Sequence, residues 1–308
     1  MLRLAPIAPT LLLTLALAAC GGDGDAAECE SEPQVKAVTT LSVFADLVRE
    51  IGGDRQEVSS LLPAGADPHT FEPVPRDVQR LTEASIVFAN GLDLEPGALR
   101  VIEPNLSPGA PLIQLGEEAI KAGIDARPFD SSGTDPHLWL SVNNAREYAR
   151  IIRDALGGID PEGARQYEEN YQRYLAELDE LAQYVRDKVS AVPPGQRTLV
   201  TTHDGFGHMA DYLGFQIAAF VAESPGQDPS PRDIADLTHA ISDQAIPAVF
   251  TEPQIGAGSR LLEQVAADTG VRVCTLYSGA LDSSVPTYIE MMRFNADELL
   301  RCLGDANC

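Results

Sequence analysis

Short apolar runs alternate with amphipathic stretches along the chain, and the alternation restarts after one long uninterrupted segment. Residues 35–41 read as a strand, with Ser42 as the cap of an amphipathic helix that runs to Ile51 and stops at Gly52-Gly53. A second strand, residues 58–62, leads into Pro63-Ala64-Gly65-Ala66-Asp67-Pro68-His69. A helix over 75–84 and strands at 86–90, 112–115 and 138–140 follow. From Asp160-Pro161 to Pro193-Pro194 no proline interrupts the chain after Pro161, and the last glycine is Gly163. Within it Tyr167, Tyr171, Tyr174, Leu178, Leu181, Val185 and Val189 recur at spacings of four and three, one apolar stripe on one helix. At 1.5 Å per residue that helix reaches about 40 Å, enough to connect two lobes. The second half repeats the pattern: strands at 198–202, 216–221, 248–251 and 271–276, helices at 207–213, 233–242, 259–269 and 287–303.

Alternating strands and helices of this kind predict an α/β fold of two lobes, each a mostly parallel sheet covered by helices, bridged by one long rigid helix. The expected division is a lobe over 35–159, a linking helix over 160–193 and a second lobe over 194–308. Ligands of such sheets bind at the carboxyl ends of the strands, where His69 and His203 fall.

The first 34 residues read differently. A basic start at Arg3, an apolar run over 7–17 and Leu17-Ala18-Ala19-Cys20 form a secretory signal over residues 1–19, too short for a membrane span, which needs about 20 apolar residues. Leu-Ala-Ala-Cys followed by glycines resembles the lipobox of bacterial lipoproteins, which makes Cys20 the lipid-bearing mature N-terminus and residues 20–34 a flexible, acidic tether. Export to an oxidising compartment then makes disulfides of the remaining cysteines, with Cys274 and Cys302 the first pair and Cys29 with Cys308 the second. A formal net charge of −24 excludes a phosphate-backbone partner, and the surface reads as that of a soluble monomer without nucleic acid.

Candidate chemistry concentrates in the histidines. Of only five, three sit in turn-like frames: Asp67-Pro68-His69, Asp135-Pro136-His137 and His203-Asp204-Gly205. Imidazole nitrogen suits zinc and neighbouring transition metals. Asp67, Asp135 and Asp204 either orient these rings or cap their turns, and Glu252 either hydrogen-bonds a ligand histidine or caps the turn after its strand. Trp139 shields the site or packs in the core; His208 and His239 read as packing or surface residues.

Five segments resemble the zinc- and manganese-binding receptors of bacterial ABC importers, the ZnuA and TroA type: Pro-Ala-Gly-Ala-Asp-Pro-His-Thr-Phe-Glu-Pro at 63–73, Asp-Pro-His-Leu-Trp-Leu at 135–140, Thr-His-Asp-Gly-Phe-Gly-His at 202–208, Phe-Thr-Glu-Pro-Gln at 250–254 and Tyr-Ile-Glu-Met-Met-Arg-Phe-Asn at 288–295. The resemblance implies a metal held in the cleft between lobes by His69, His137 and His203, and delivery to an ABC permease from a lipid-anchored, extracytoplasmic position. The family's fourth ligand is an aspartate after the last strand. Gly279 stands where that aspartate aligns, which leaves Asp282 or water for the fourth position. Manganese-type members replace the third histidine by a carboxylate, so His203 favours Zn2+ over Mn2+. A zinc-dependent hydrolase, with Glu252 as base, and an adhesin lipoprotein are the readings from other classes. The absence of a His-Glu-x-x-His motif and the scatter of the histidines over two lobes suit a clamp better than an enzyme.

Overall fold

The computed structural model describes residues 35–129 and 133–304. The signal segment, the tether with Cys20, and the second cysteine pair, Cys29 with Cys308, lie outside the described residues. The first lobe is a parallel sheet of β1 (Val35–Thr39), β2 (Gln56–Ser60), β3 (Ile86–Ala89) and β4 (Leu112–Gln114) in the order β2-β1-β3-β4. Helices α1 (Ser42–Gly52), α2 (Pro75–Glu83), α3 (Pro96–Asn105), α4 (Leu115–Lys121) and α5 (Val142–Ile159) accompany it. β3 reads Ile-Val-Phe-Ala and all four residues are buried, as a central parallel strand covered on both faces requires. A two-stranded antiparallel ribbon, β5 (Pro128–Phe129) with β6 (Gly133–Thr134), precedes His137.

The linking helix, α6 (Ala164–Ser190), has 27 residues, about 40 Å at 1.5 Å each. Its buried stripe contains all seven residues of the predicted spacing, together with Ala182.

The second lobe is a parallel sheet of β7 (Thr198–His203), β8 (Gln216–Ala222), β9 (Ala248–Thr251) and β10 (Arg272–Thr275) in the order β10-β9-β7-β8. Counted from its own first strand, this is the order of the first sheet. Helices α7 (Gly207–Leu213), α8 (Pro231–Asp243), α9 (Gly256–Thr269) and α10 (Tyr288–Leu303) complete it. Ser230 and Asp233 cap α8 reciprocally, and Thr287 accepts from the Glu290 amide at the start of α10. Cys274 of β10 is bonded to Cys302 of α10.

The main core is continuous across the lobes: Phe44 and Leu47 of α1, the α6 stripe, Phe250 of β9 and Met291 of α10 belong to one buried cluster. α6 packs on α1 and α5 from the first half and on α10 from the second. Two local expectations are corrected. Residues 138–140 form a 3-10 turn, not a strand, closed by Leu140 N–H to His137 O and Ser141 N–H to Leu138 O. Ser42 does not cap α1; it begins the helix, and its hydroxyl reaches across to the loop after β10.

Candidate metal centre

His203 is the last residue of β7, His69 lies in the loop after β2, and His137 precedes the 3-10 turn. All three reach one cavity at the carboxyl ends of the two sheets. Nε2 of His137 stands 3.3 Å from Nε2 of both His69 and His203. Gly205 makes room for the third ring: a β-carbon there would fall 2.2 Å from His203 Nε2. His137 and His203 are buried and His69 half-buried.

The other ring nitrogens are held by carboxylates. Asp135 Oδ1 lies 2.9 Å from His137 Nδ1 and accepts from the His137 amide at 3.0 Å. Glu252 Oε1 lies 2.7 Å from His203 Nδ1 and accepts from the Thr202 hydroxyl; its Oε2 accepts from Ser278 Oγ at 2.6 Å and Gln254 Nε2 at 3.1 Å. Each carboxylate thereby turns Nε2 toward the common point, the tautomer and orientation a metal-binding imidazole needs.

The charges agree with this division. Burial, with His137 and His203 close by, holds His69 well below the usual histidine range. Burial alone would lower His203 too, but the Glu252 carboxylate overrides it and raises this ring above its ordinary value. Against burial, His203 holds Glu252 below the ordinary carboxylate range, and the hydrogen bond from His137 does the same for Asp135. Burial raises Asp67, opposed by bonds from Thr70 Oγ1 and the His69 amide.

Other sequence-derived candidates fall elsewhere. Asp67 binds the His69 amide at 3.2 Å and Thr70 Oγ1 at 2.8 Å, a turn-forming role beside the cavity. Asp204 is half-buried, its carboxyl raised by burial, and it makes no side-chain bond to a histidine among the described residues. Asp282 is corrected as the fourth donor. Its Oδ1 accepts from the Ser284 and Val285 amides at 2.7 and 3.2 Å and its Oδ2 from Tyr277 Oη at 3.0 Å, so the carboxylate closes its own loop. Among the described residues, the His, Cys, Asp and Glu side chains at the cavity whose donor atoms lie close enough together to share one ion are His69, His137 and His203. At Gly279 a β-carbon would lie 3.1 Å from the Trp139 ring. That indole donates to Ser278 O at 2.7 Å and stacks edge-on against Phe44, so it occupies the room a side chain at 279 needs while packing in the core. His208 is buried, with Nε2 3.3 Å from Asp135 O, and His239 is exposed.

Sequence reasoning missed two residues. Arg127 places one nitrogen 3.3 Å from Asp135 Oδ2 and another 3.4 Å from Asp211 on α7. Gln254 lines the histidine cavity. Neither carries a motif of its own; Gln254 ends the quoted Phe-Thr-Glu-Pro-Gln segment and was open to being read with Glu252.

Residues 37–302 match the family described as "Zinc-uptake complex component A periplasmic". A manganese-binding lipoprotein, MntA of Halalkalibacterium halodurans, is 32% identical over 299 residues, 96% of this chain and 96% of the relative. The solved periplasmic zinc binding protein TroA from Treponema pallidum superposes with a TM-score of 0.80 at 27% identity, over 88% of this chain and 99% of that one. A manganese-bound periplasmic metal binding protein from Candidatus Liberibacter asiaticus gives 0.77 at 26%, over 87% and 99%. This chain belongs to that zinc-uptake family of periplasmic metal-binding proteins.

Proposed function

We propose that this member of the family is the extracytoplasmic receptor of an ABC importer, which captures a divalent metal between its lobes with His69, His137 and His203 and hands it to a membrane permease. The observation that carries the reading is the convergence of three Nε2 atoms, two of them backed by buried carboxylates. Cys20 tethers the receptor to the membrane surface through its lipid, in keeping with the lipoprotein names of its relatives. Glu252 has both oxygens engaged, on His203 and Thr202 and on Ser278 and Gln254, which leaves it no free lone pair suited to a general base.

Zinc is the metal favoured by the donor set, because three imidazoles suit zinc better than manganese. Manganese is the second reading, supported by the name of the Halalkalibacterium relative and by the manganese-bound structure from Candidatus Liberibacter asiaticus. Metal analysis of protein purified without added metal, followed by calorimetric competition, separates the two. One Zn2+ per chain, with Mn2+ failing to compete at equal concentration, is the expected result. Equal competition would overturn the zinc assignment, and unchanged binding in His203→Ala would overturn the site.

A further inference from the structure

Three imidazoles leave a fourth position on a tetrahedral ion. Four side chains bring oxygen to the cavity: Ser42, Asp67, Gln254 and Ser278. Ser42 Oγ donates to Gly279 O at 3.4 Å and accepts from the Leu281 amide at 2.8 Å. Ser278 Oγ donates to Glu252 and accepts from Gln254 Nε2 at 2.5 Å. Each Asp67 oxygen has a partner in its own turn. Gln254 differs. Its amide nitrogen donates to Glu252 Oε2 and Ser278 Oγ, while its Oε1 is buried without any partner.

That orientation is fixed chemically. Glu252 Oε2 is an ionised acceptor, so turning the amide over would set oxygen against oxygen. A buried carbonyl oxygen left unpaired loses its hydration without replacement, and such a group calls for a partner, an ion or a water. The same carboxylate therefore orients two groups at once, His203 through Oε1 and Gln254 through Oε2. With Gly279 in the family aspartate's position and Asp282 committed to its own loop, Gln254 is, among the described residues that line the cavity, the one whose side-chain oxygen has no hydrogen-bond partner.

We propose that Gln254 Oε1 is the fourth donor to the cargo ion, a neutral carbonyl oxygen where the family carries a carboxylate. The proposal rests on the three histidines being ligands. A neutral donor adds no charge to that of the carboxyl groups around the rings, Asp67, Asp135 and Glu252, which favours exchange of the ion over permanent retention.

The test uses Co2+ as a spectroscopic probe and Zn2+ for affinity, with the unaltered protein, Gln254→Ala, His239→Ala and His203→Ala in parallel. Gln254→Ala is expected to weaken both ions tenfold or more and to shift the visible Co2+ bands, with His239→Ala, at an exposed histidine away from the cavity, leaving the bands in position. A wild-type spectrum and affinity in Gln254→Ala, while His203→Ala abolishes binding, overturns the assignment and spares the receptor. Loss of neither in His203→Ala sinks the receptor reading itself. A crystal structure of the unaltered protein with Zn2+ decides independently of any variant's folding. An Oε1 to zinc distance of about 2.0–2.2 Å is expected; a water or Asp67 at that vertex overturns it.

Discussion

In the proposed site each of the three histidines serves in only one orientation, and at the residue scale that orientation comes from neighbours that would not themselves touch the ion. Gly205 lies beneath the His203 ring, so Gly205→Ala must displace either the backbone or the imidazole. The expected outcome is at least a tenfold rise in the Kd for Zn2+ by calorimetry, with the far-ultraviolet circular dichroism unchanged. Glu252→Gln removes the charge behind His203 and turns one of two acceptor oxygens, Oε1 on His203 and Thr202 or Oε2 on Ser278 and Gln254, into a donor. A loss of about 10- to 100-fold in metal affinity follows from the usual effect of such substitutions. Asp-Pro-His and Thr-His-Asp-Gly were legible because histidine beside proline, glycine and a carboxylate is rare in a chain of five histidines. Asp282 was misread because spacing reports only how close a residue lies along the chain. The amides of Ser284 and Val285, which claim the carboxylate, are set by a loop conformation that no periodicity encodes.

At the scale of elements, the last helix is held near one end by a disulfide and near the other by a buried carboxylate. The disulfide joins β10 to α10 across 28 residues, and in the chain-entropy account a closure of that length is worth about 3–4 kcal/mol. Cys302→Ser is expected to lower the unfolding free energy by that order in denaturant titration, with no change in metal stoichiometry. At the other end of α10, Asp46 of α1 accepts from the Tyr288 amide at 2.7 Å. Burial outweighs that bond and raises the Asp46 carboxyl to about 6. A raised value stabilises the protonated form, so this contribution is complete below the unfolded value of 3.8 and is lost as pH rises through about 6. The asparagine of Asp46→Asn keeps an acceptor and cannot ionise. Its stability relative to the parent is therefore expected to rise between pH 4 and 7 by about 3 kcal/mol at most, at about 1.4 kcal/mol per unit; a pH-independent difference would refute the shift. The repeated strand and helix pattern and the α6 stripe were legible because buried parallel strands and one-sided helices impose strong periods. α5 escapes the sequence reading although its buried residues recur at helical spacing, and residues 138–140 read as a strand because three apolar residues are too few to distinguish a strand from a turn.

For the whole molecule, the continuous core and the shared contacts of α6 join the lobes into one body, and polar contacts behind His137 join them as well. Arg127 is the residue placed to carry this polar link. Its guanidinium touches the wholly buried Asp135, which holds His137, and the exposed Asp211 on α7, the helix that follows His203. The two pairs differ in weight. An exposed partner contributes about 0–1 kcal/mol, whereas removing the cation from a buried carboxylate leaves charge without compensation. Asp211→Asn alone is therefore expected to change metal release less than about threefold. Arg127→Ala is expected to speed release tenfold or more, because Asp135 is then free to turn from His137. Stopped-flow release of Zn2+ to a chelator, measured for both single variants and the double variant, separates the roles. If Arg127 works by linking the lobes, Asp211→Asn has no further effect once Arg127 is gone. If the two effects add, Arg127 acts on Asp135 alone and the link through α7 carries no coupling.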